Sequence, residues 1–135
     1  MYRRRLPREC ALELLEPTPV KRLKGVDPVR AMQREGEHLL NAVPKGSRII
    51  ALDECGQGWD SRELSRRLGV WMQEGRDVAL LVGGADGLSD ACRERAEQVW
   101  SLSPLTFPHA LVRVLAAEQI YRAWSLLRGM PYHRD

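Results

Sequence analysis

Several things are scarce in this sequence, and each scarcity removes a class of protein. Its 135 residues hold only three cysteines. Cys10, Cys55 and Cys92 are odd in number, widely separated and free of any C-x-x-C pairing. Neither a disulfide framework nor a zinc or other metal site is indicated, and a reducing cytoplasm fits best. No apolar run approaches the roughly 18 residues of a membrane span. The basic start MYRRRLPR is not followed by the apolar core of a signal peptide, so nothing directs the chain out of the cell. Internal repeats and low-complexity segments are missing. A strong charge of one sign is missing too: 21 Lys and Arg against 18 Asp and Glu leave +3. That surplus suits an acidic partner such as RNA without requiring one.

What is present is enough apolar material, 44% of the residues, to close one compact core. The reading is one domain over residues 1–135. The stretch WSLSPLTFPHALVRVLAAEQIYR, residues 100–122, organises the rest. Trp100, Leu102 and Leu105 supply apolar bulk, and Pro104 and Pro108 fix the backbone of the loop between them while removing two amide donors. His109 then opens a helix on which Val112, Ala116, Ile120, Ala123 and Leu127 recur at three and four residues, with Leu111, Leu115 and Trp124 beside them. One face of that helix must be buried.

In chain order, CALELLE (10–16) is strand-like and is ended by Pro17 and Pro19. The arginines ahead of it, Arg3, Arg4, Arg5 and Arg8, read first as a frayed, solvated terminus. Asp27 and Pro28 start a helix whose inward face is Val29, Met32, Gly36, Leu39, Leu40 and Val43. RIIALD (48–53) reads as a strand buried on both faces. Asp60 and Glu63 resemble a capping box ahead of a helix carrying Leu64, Leu68, Trp71 and Met72, closed by Gly75. DVALLVGG (77–84) is the strongest strand, and Ser89 caps a short helix after it. Strands alternating with helices imply an α/β fold with parallel pairing and helices packed on the sheet.

In open α/β sheets ligands bind beyond the carboxyl ends of the strands, which singles out the loops after Leu52, after Val82 and around Ser103 to Pro108. GGADG is neither G-x-G-x-x-G nor a P-loop, so a phosphate cradle is disfavoured. Gly83 and Gly84 are equally explained by a tight turn and by a ligand close to the backbone. His109 is open as a base, a ligand or a polar helix-start residue, and the last comes first because no Cys or Asp stands at metal spacing. Glu118 and Arg122, four apart, read as a helical pair before a substrate clamp. The terminal PYHRD gathers a stacking ring, a titratable group and a phosphate fork in Tyr132, His133 and Arg134, although tails are commonly disordered.

Taken together, LLVGGADGLS, WSLSPLTFPHALVRVLAAEQIYRAWS and PYHR resemble the RlmH family of SPOUT methyltransferases, as do YRRRLPR, GEHLL and RIIALDECGQGWDS. The resemblance covers nearly the whole chain. It implies an α/β parallel sheet with helices on both faces, a C-terminal trefoil knot, a homodimer, and methylation at N3 of a pseudouridine in 23S rRNA within the assembled 70S ribosome. S-adenosylmethionine would then lie against Leu52, Gly84, Ser103, Pro104, Leu105, Thr106, Phe107 and Pro108. Tyr132, His133 and Arg134 would form the RNA-facing catalytic side, with His109 and Arg122 as RNA-binding candidates in the same cleft. No membrane and no metal are expected.

One departure is visible. Family members carry a β-strand and part of a helix ahead of the position matching Tyr2. A shortened relative that binds cofactor or ribosome without turnover is therefore the alternative to an active enzyme, and loss of an internal strand is expected to expose backbone groups.

Overall fold

A computed structural model describes residues 2–6, 10–15, 27–83, 87–103, 105 and 107–129. Strands β1 (Tyr2–Leu6), β2 (Cys10–Leu15), β3 (Arg48–Gly58), β4 (Val78–Val82) and β5 (Gln98–Ser101) alternate after β2 with helices α1 (Pro28–Ala42), α2 (Ser61–Glu74), α3 (Asp90–Arg95) and α4 (His109–Leu127). The five strands form one sheet in the order β1-β2-β4-β3-β5. β2, β4, β3 and β5 run parallel, and β1 is antiparallel to β2, with Arg3 opposite Glu13.

That arrangement corrects the expectation for the start of the chain. Arg3, Arg4 and Arg5 belong to a paired strand and not to a frayed end. YRRRL, three arginines in a row between Tyr2 and Leu6, has no two-residue alternation to announce a strand, so pairing with the apolar β2 decides its state. Arg8 and residues 16–26 lie outside the described residues.

The order of connections places the helices. From β2 to β3 the chain steps over β4 in one direction, from β3 to β4 it steps back, and from β4 to β5 it steps forward again over β3. Crossovers of one hand put forward steps on one face and backward steps on the other. Accordingly, Ile50, Leu52, Val78, Leu80, Val82 and Trp100 pack with Leu64, Leu68 and Trp71 of α2 and Ala116, Ile120 and Ala123 of α4. The alternate residues Ile49, Ala51, Ala79 and Leu81 pack with Leu39 of α1 and Cys92 of α3. All five residues of β4 are buried, as a strand covered on both faces requires. Each fully buried Leu or Ile in these layers contributes about 1.5–3 kcal/mol from area removed from water.

The helix ends follow their caps. Asp27 accepts from the Val29 amide at 3.0 Å, Asp60 from the Glu63 amide at 2.8 Å and Ser89 from the Cys92 amide at 3.3 Å. Gly75 closes α2 with φ of 72°. The Glu63 carboxylate, expected to reach back to the cap, turns to Arg66 and Arg67 instead. In α1 the buried face is Ala31, Glu35, Gly36 and Leu39, while Val29, expected inward, is exposed. Val29 sits in the first turn, before the helix comes under the sheet.

Below the sheet, the amino ends of β3, β4 and β5 are tied by ions. Arg76 donates to the carbonyls of Gly46 and Ser47 and forks onto Glu97 at 3.1 and 3.2 Å. Arg48 pairs with Glu74 and stands 3.8 Å from Glu97.

Candidate active site

Toward the carboxyl ends of β4 and β5, three parallel strands stand in register. Leu52 of β3 stands opposite Val82 of β4 on one side and Trp100 of β5 on the other, all three buried. RIIALD was expected to end near Asp53, but β3 continues to Gly58 after a break in register. Trp100 is the partner of both Leu52 and Gln57, so residues 53–56 stand out of the ladder as a bulge at the strand end. Gly56 is required there, because a Cβ on it would lie 2.6 Å from the Val99 carbonyl oxygen. The Ser101 hydroxyl is 3.1 Å from the Glu54 carbonyl and 2.9 Å from that of Ser103, donating across the junction of bulge and following loop.

On the other side of Leu52, β4 ends at Val82, five residues rather than the expected eight. A Cβ on Gly83 would lie 2.7 Å from the Leu88 nitrogen and 2.8 Å from Gly87 Cα, so the close approach at this glycine is made by the chain's own returning loop. The left-handed residue of that turn is Gly87, at φ of 86°. Gly84 lies outside the described residues.

Arg93 of α3 joins the two loops. Its guanidinium donates to Asp53 in the bulge at 3.1 Å and to the Leu88 carbonyl at 3.3 Å, and pairs with Asp90. These bonds, to Asp53 first and then Asp90, outweigh burial and hold the guanidinium even more firmly protonated than usual. Sequence reading passed over Arg93; its only local signal is the Asp90–Arg93 spacing of three, which says nothing of Asp53, 40 residues earlier.

The loop after β5 carries most of the expected cofactor residues. The Ser103 hydroxyl accepts from the Leu105 amide at 3.1 Å, Leu105 is 67% exposed, Phe107 is partly buried, and Pro108 caps α4 through its carbonyl. Pro104 and Thr106 lie outside the described residues. His109 is the first residue of α4, immediately beyond this loop. Arg122 sits in the fourth turn of the same helix, its guanidinium on Glu118 at 2.6 Å, the helical pair expected from spacing. More than three helical turns therefore separate the two RNA-binding candidates along α4. Tyr132, His133 and Arg134 lie outside the described residues.

α4 buries Ala116, Ile120 and Ala123, as its periodicity predicts, while Leu127, expected on the same face, is 40% exposed at the helix end. It is also apolar on its outer side: Leu111 and Val114 are 43% and 59% exposed. Trp59, at the end of β3, packs flat on Trp100 beneath the site and carries the Arg67 guanidinium 4.2 Å above its own ring. Among the described residues no cluster of His, Cys, Asp and Glu could hold a metal ion, and no helix is long and apolar enough to cross a membrane.

The chain is matched over residues 1–133 by the family model described as "Predicted SPOUT methyltransferase". The chain belongs to the SPOUT methyltransferase family. Among its relatives named Ribosomal RNA large subunit methyltransferase H, that of Thioalkalivibrio sulfidiphilus is 61% identical over 134 residues, 99% of this chain and 86% of the relative. Those of Methylococcus capsulatus and Nitrosococcus oceani are 58% and 56% identical over 133 residues, each covering 98% of this chain and 86% and 85% of the relative. For a SPOUT chain the lack of a phosphate cradle at Gly83 is coherent, since a methyl donor of the adenosyl-methionine type carries no phosphate.

Proposed function

We propose that this chain is an S-adenosylmethionine-dependent methyltransferase that methylates N3 of a pseudouridine in 23S rRNA of the assembled 70S ribosome. The observation that carries the reading is the side-by-side pairing of Leu52 with Val82 and Trp100 toward the carboxyl ends of parallel strands in a chain of this family. The relatives' name supports large-subunit ribosomal RNA as the substrate. The choice of base and of the complete particle rests on the motif resemblance of residues 80–89, 100–125 and 131–134.

Leu52, Gly84 and Ser103 through Pro108 would hold the donor, which supplies a methyl group on a cationic sulfur. The sequence retains all eight. Transfer is a direct in-line displacement: the N3–methyl bond forms as the sulfur–methyl bond breaks, and the N3 proton leaves to a base, with no covalent link to the protein. His133 is the tail residue able to take that proton, Arg134 would hold phosphate or a base oxygen, and Tyr132 would stack on an unpaired ring. His109 and Arg122 would meet RNA from α4. Cancellation of the donor's charge as N3 loses its proton leaves positioning as the main source of rate.

A chain this short has little surface to grip RNA alone, so the reading includes a homodimer acting on a folded particle in the cytoplasm. The exposed apolar residues Leu105, Leu111 and Val114 are the surface a second copy would cover. Residues 1–135 are taken as one domain whose C-terminal segment is threaded as a trefoil knot.

The test is incubation of the chain with labelled S-adenosylmethionine and 70S ribosomes lacking the modification. N3-methylpseudouridine detected by mass spectrometry is the expected result. Label appearing at another nucleotide, or equally on naked 23S fragments, refutes the substrate assignment.

A further inference from the structure

The bulge at residues 53–56 is held from both sides, and the two holds differ in kind. Toward β5 it is fixed by backbone and hydroxyl: Gly56 lies against the Val99 carbonyl and Ser101 donates toward Glu54. Toward β4 it is fixed through one side chain. Arg93 ties Asp53 to the Leu88 carbonyl, the end of the loop that returns past Gly83. The Asp53 carboxylate is only 11% exposed, and its other oxygen accepts from the Cys55 amide at 2.9 Å, so the carboxylate also shapes the bulge from within.

We propose that Arg93 is a positioning residue for the methyl donor. Held by Asp53 and Leu88, it fixes the 53–56 bulge against Leu88, next to Leu52, where the cofactor reading places the donor. The guanidinium touches neither donor nor base; it acts through the two loops. A planar fork with several fixed donors suits the task, because it can satisfy a carboxylate and a carbonyl at once, and a lysine ammonium cannot hold both in one geometry. The inference rests on the cofactor reading given above.

The experiment measures S-adenosylmethionine binding by calorimetry, and KM and kcat on unmodified 70S ribosomes, for the full chain and for Arg93→Met, Arg93→Lys and Asp53→Asn. Arg93→Met keeps bulk and removes both ties. It should weaken donor binding and raise KM for the donor by about tenfold, with kcat at saturating donor within about twofold. Arg93→Lys should recover part of the loss by restoring the charge beside Asp53. Asp53→Asn should repeat the Arg93→Met effect, and the double variant should be no worse than either single one.

A merely structural role would lower the active fraction, and with it kcat, while leaving KM and the binding constant unchanged. That outcome overturns the proposal. So does Arg93→Met binding the donor as the unaltered chain does. If Arg93→Met does not fold, Asp53→Asn alone decides. Failure of the unaltered chain to bind the donor overturns the cofactor reading and this inference together, whereas normal binding by every variant overturns this inference alone.

Discussion

Trp59 and Trp100 lie face to face, ring centroids 5.5 Å apart and planes 9° from parallel, with Trp71 tilted against Trp59 at 6.3 Å. The stack sits where β3 resumes pairing after its bulge, so it pins the floor of the site to α2. Trp100 is fully buried and Trp59 partly so. Trp100→Ala should cost about 3–5 kcal/mol in urea denaturation, and Trp59→Ala less. A double-mutant cycle should return a coupling of about 0.5–1.5 kcal/mol. Strict additivity would mean that the rings share space without interacting.

The α1–α3 contact is limited by a missing side chain. A Cβ on Gly36 would lie 2.9 Å from Ser89 Cβ and 3.3 Å from Cys92 Sγ, and would run into the Ser89 hydroxyl that caps α3. Gly36→Ala gains about 1 kcal/mol of helix propensity but overpacks at about 1–3 kcal/mol, so a net loss of stability is expected. At Gly69 the nearest atom is Leu127 Cδ1 at 3.4 Å, an ordinary contact. Gly69→Ala should raise the melting temperature. The pair measured side by side by calorimetry should move in opposite directions.

Acid should loosen the amino end of the sheet. Burial pushes the Glu97 carboxyl up, but the Arg76 hydrogen bonds and the charges of Arg48 and Arg76 pull it further down, leaving it below its ordinary 4.5. A carboxyl depressed in the folded state contributes stability that is fully present above the unfolded value and is lost as pH falls through the folded one. Melting curves of the native chain and Glu97→Gln should therefore differ above pH 4.5 and converge below it. Curves that stay parallel through that window would assign Glu97 no linked proton. The carboxylate is 40% exposed, so the gap between the curves should be modest.

The roles given to the tail separate kinetically. His133→Ala should lower kcat by about 10²-fold at neutral pH and remove the acid limb of the rate profile, as loss of a general base does. Arg134→Ala should raise KM for ribosomes, with the larger loss at low salt and a shallower dependence of binding on salt. Unchanged turnover in His133→Ala, together with its loss in Arg134→Ala, would leave positioning and no general base.

The parallel sheet was legible because its signals are local: RIIAL and VALLV are too apolar and too short for anything but covered strands, and Asp27, Asp60 and Ser89 announce their helices. Local signals failed wherever pairing decides. YRRRL becomes a strand only beside β2, and β3 runs on to Gly58 only because β5 offers Trp100 twice. The candidate site was legible as a set of loops. Its internal bracing was not, since the Asp53–Arg93 bond spans 40 residues and leaves no periodicity behind.

The strand order also has a consequence for how the chain is made. β2 and β3 are synthesised before β4, yet neither touches the other; β4 lies between them and pairs with both. As the chain leaves the ribosome, the two earlier strands must wait with unpaired inner edges until residue 82 has emerged, and β3 waits again for β5 on its other side. The sheet cannot zip up in the order of translation. A nascent chain stalled short of β4 should be the most chaperone-dependent and aggregation-prone length of this protein, and release should come as one late step when the central strand arrives.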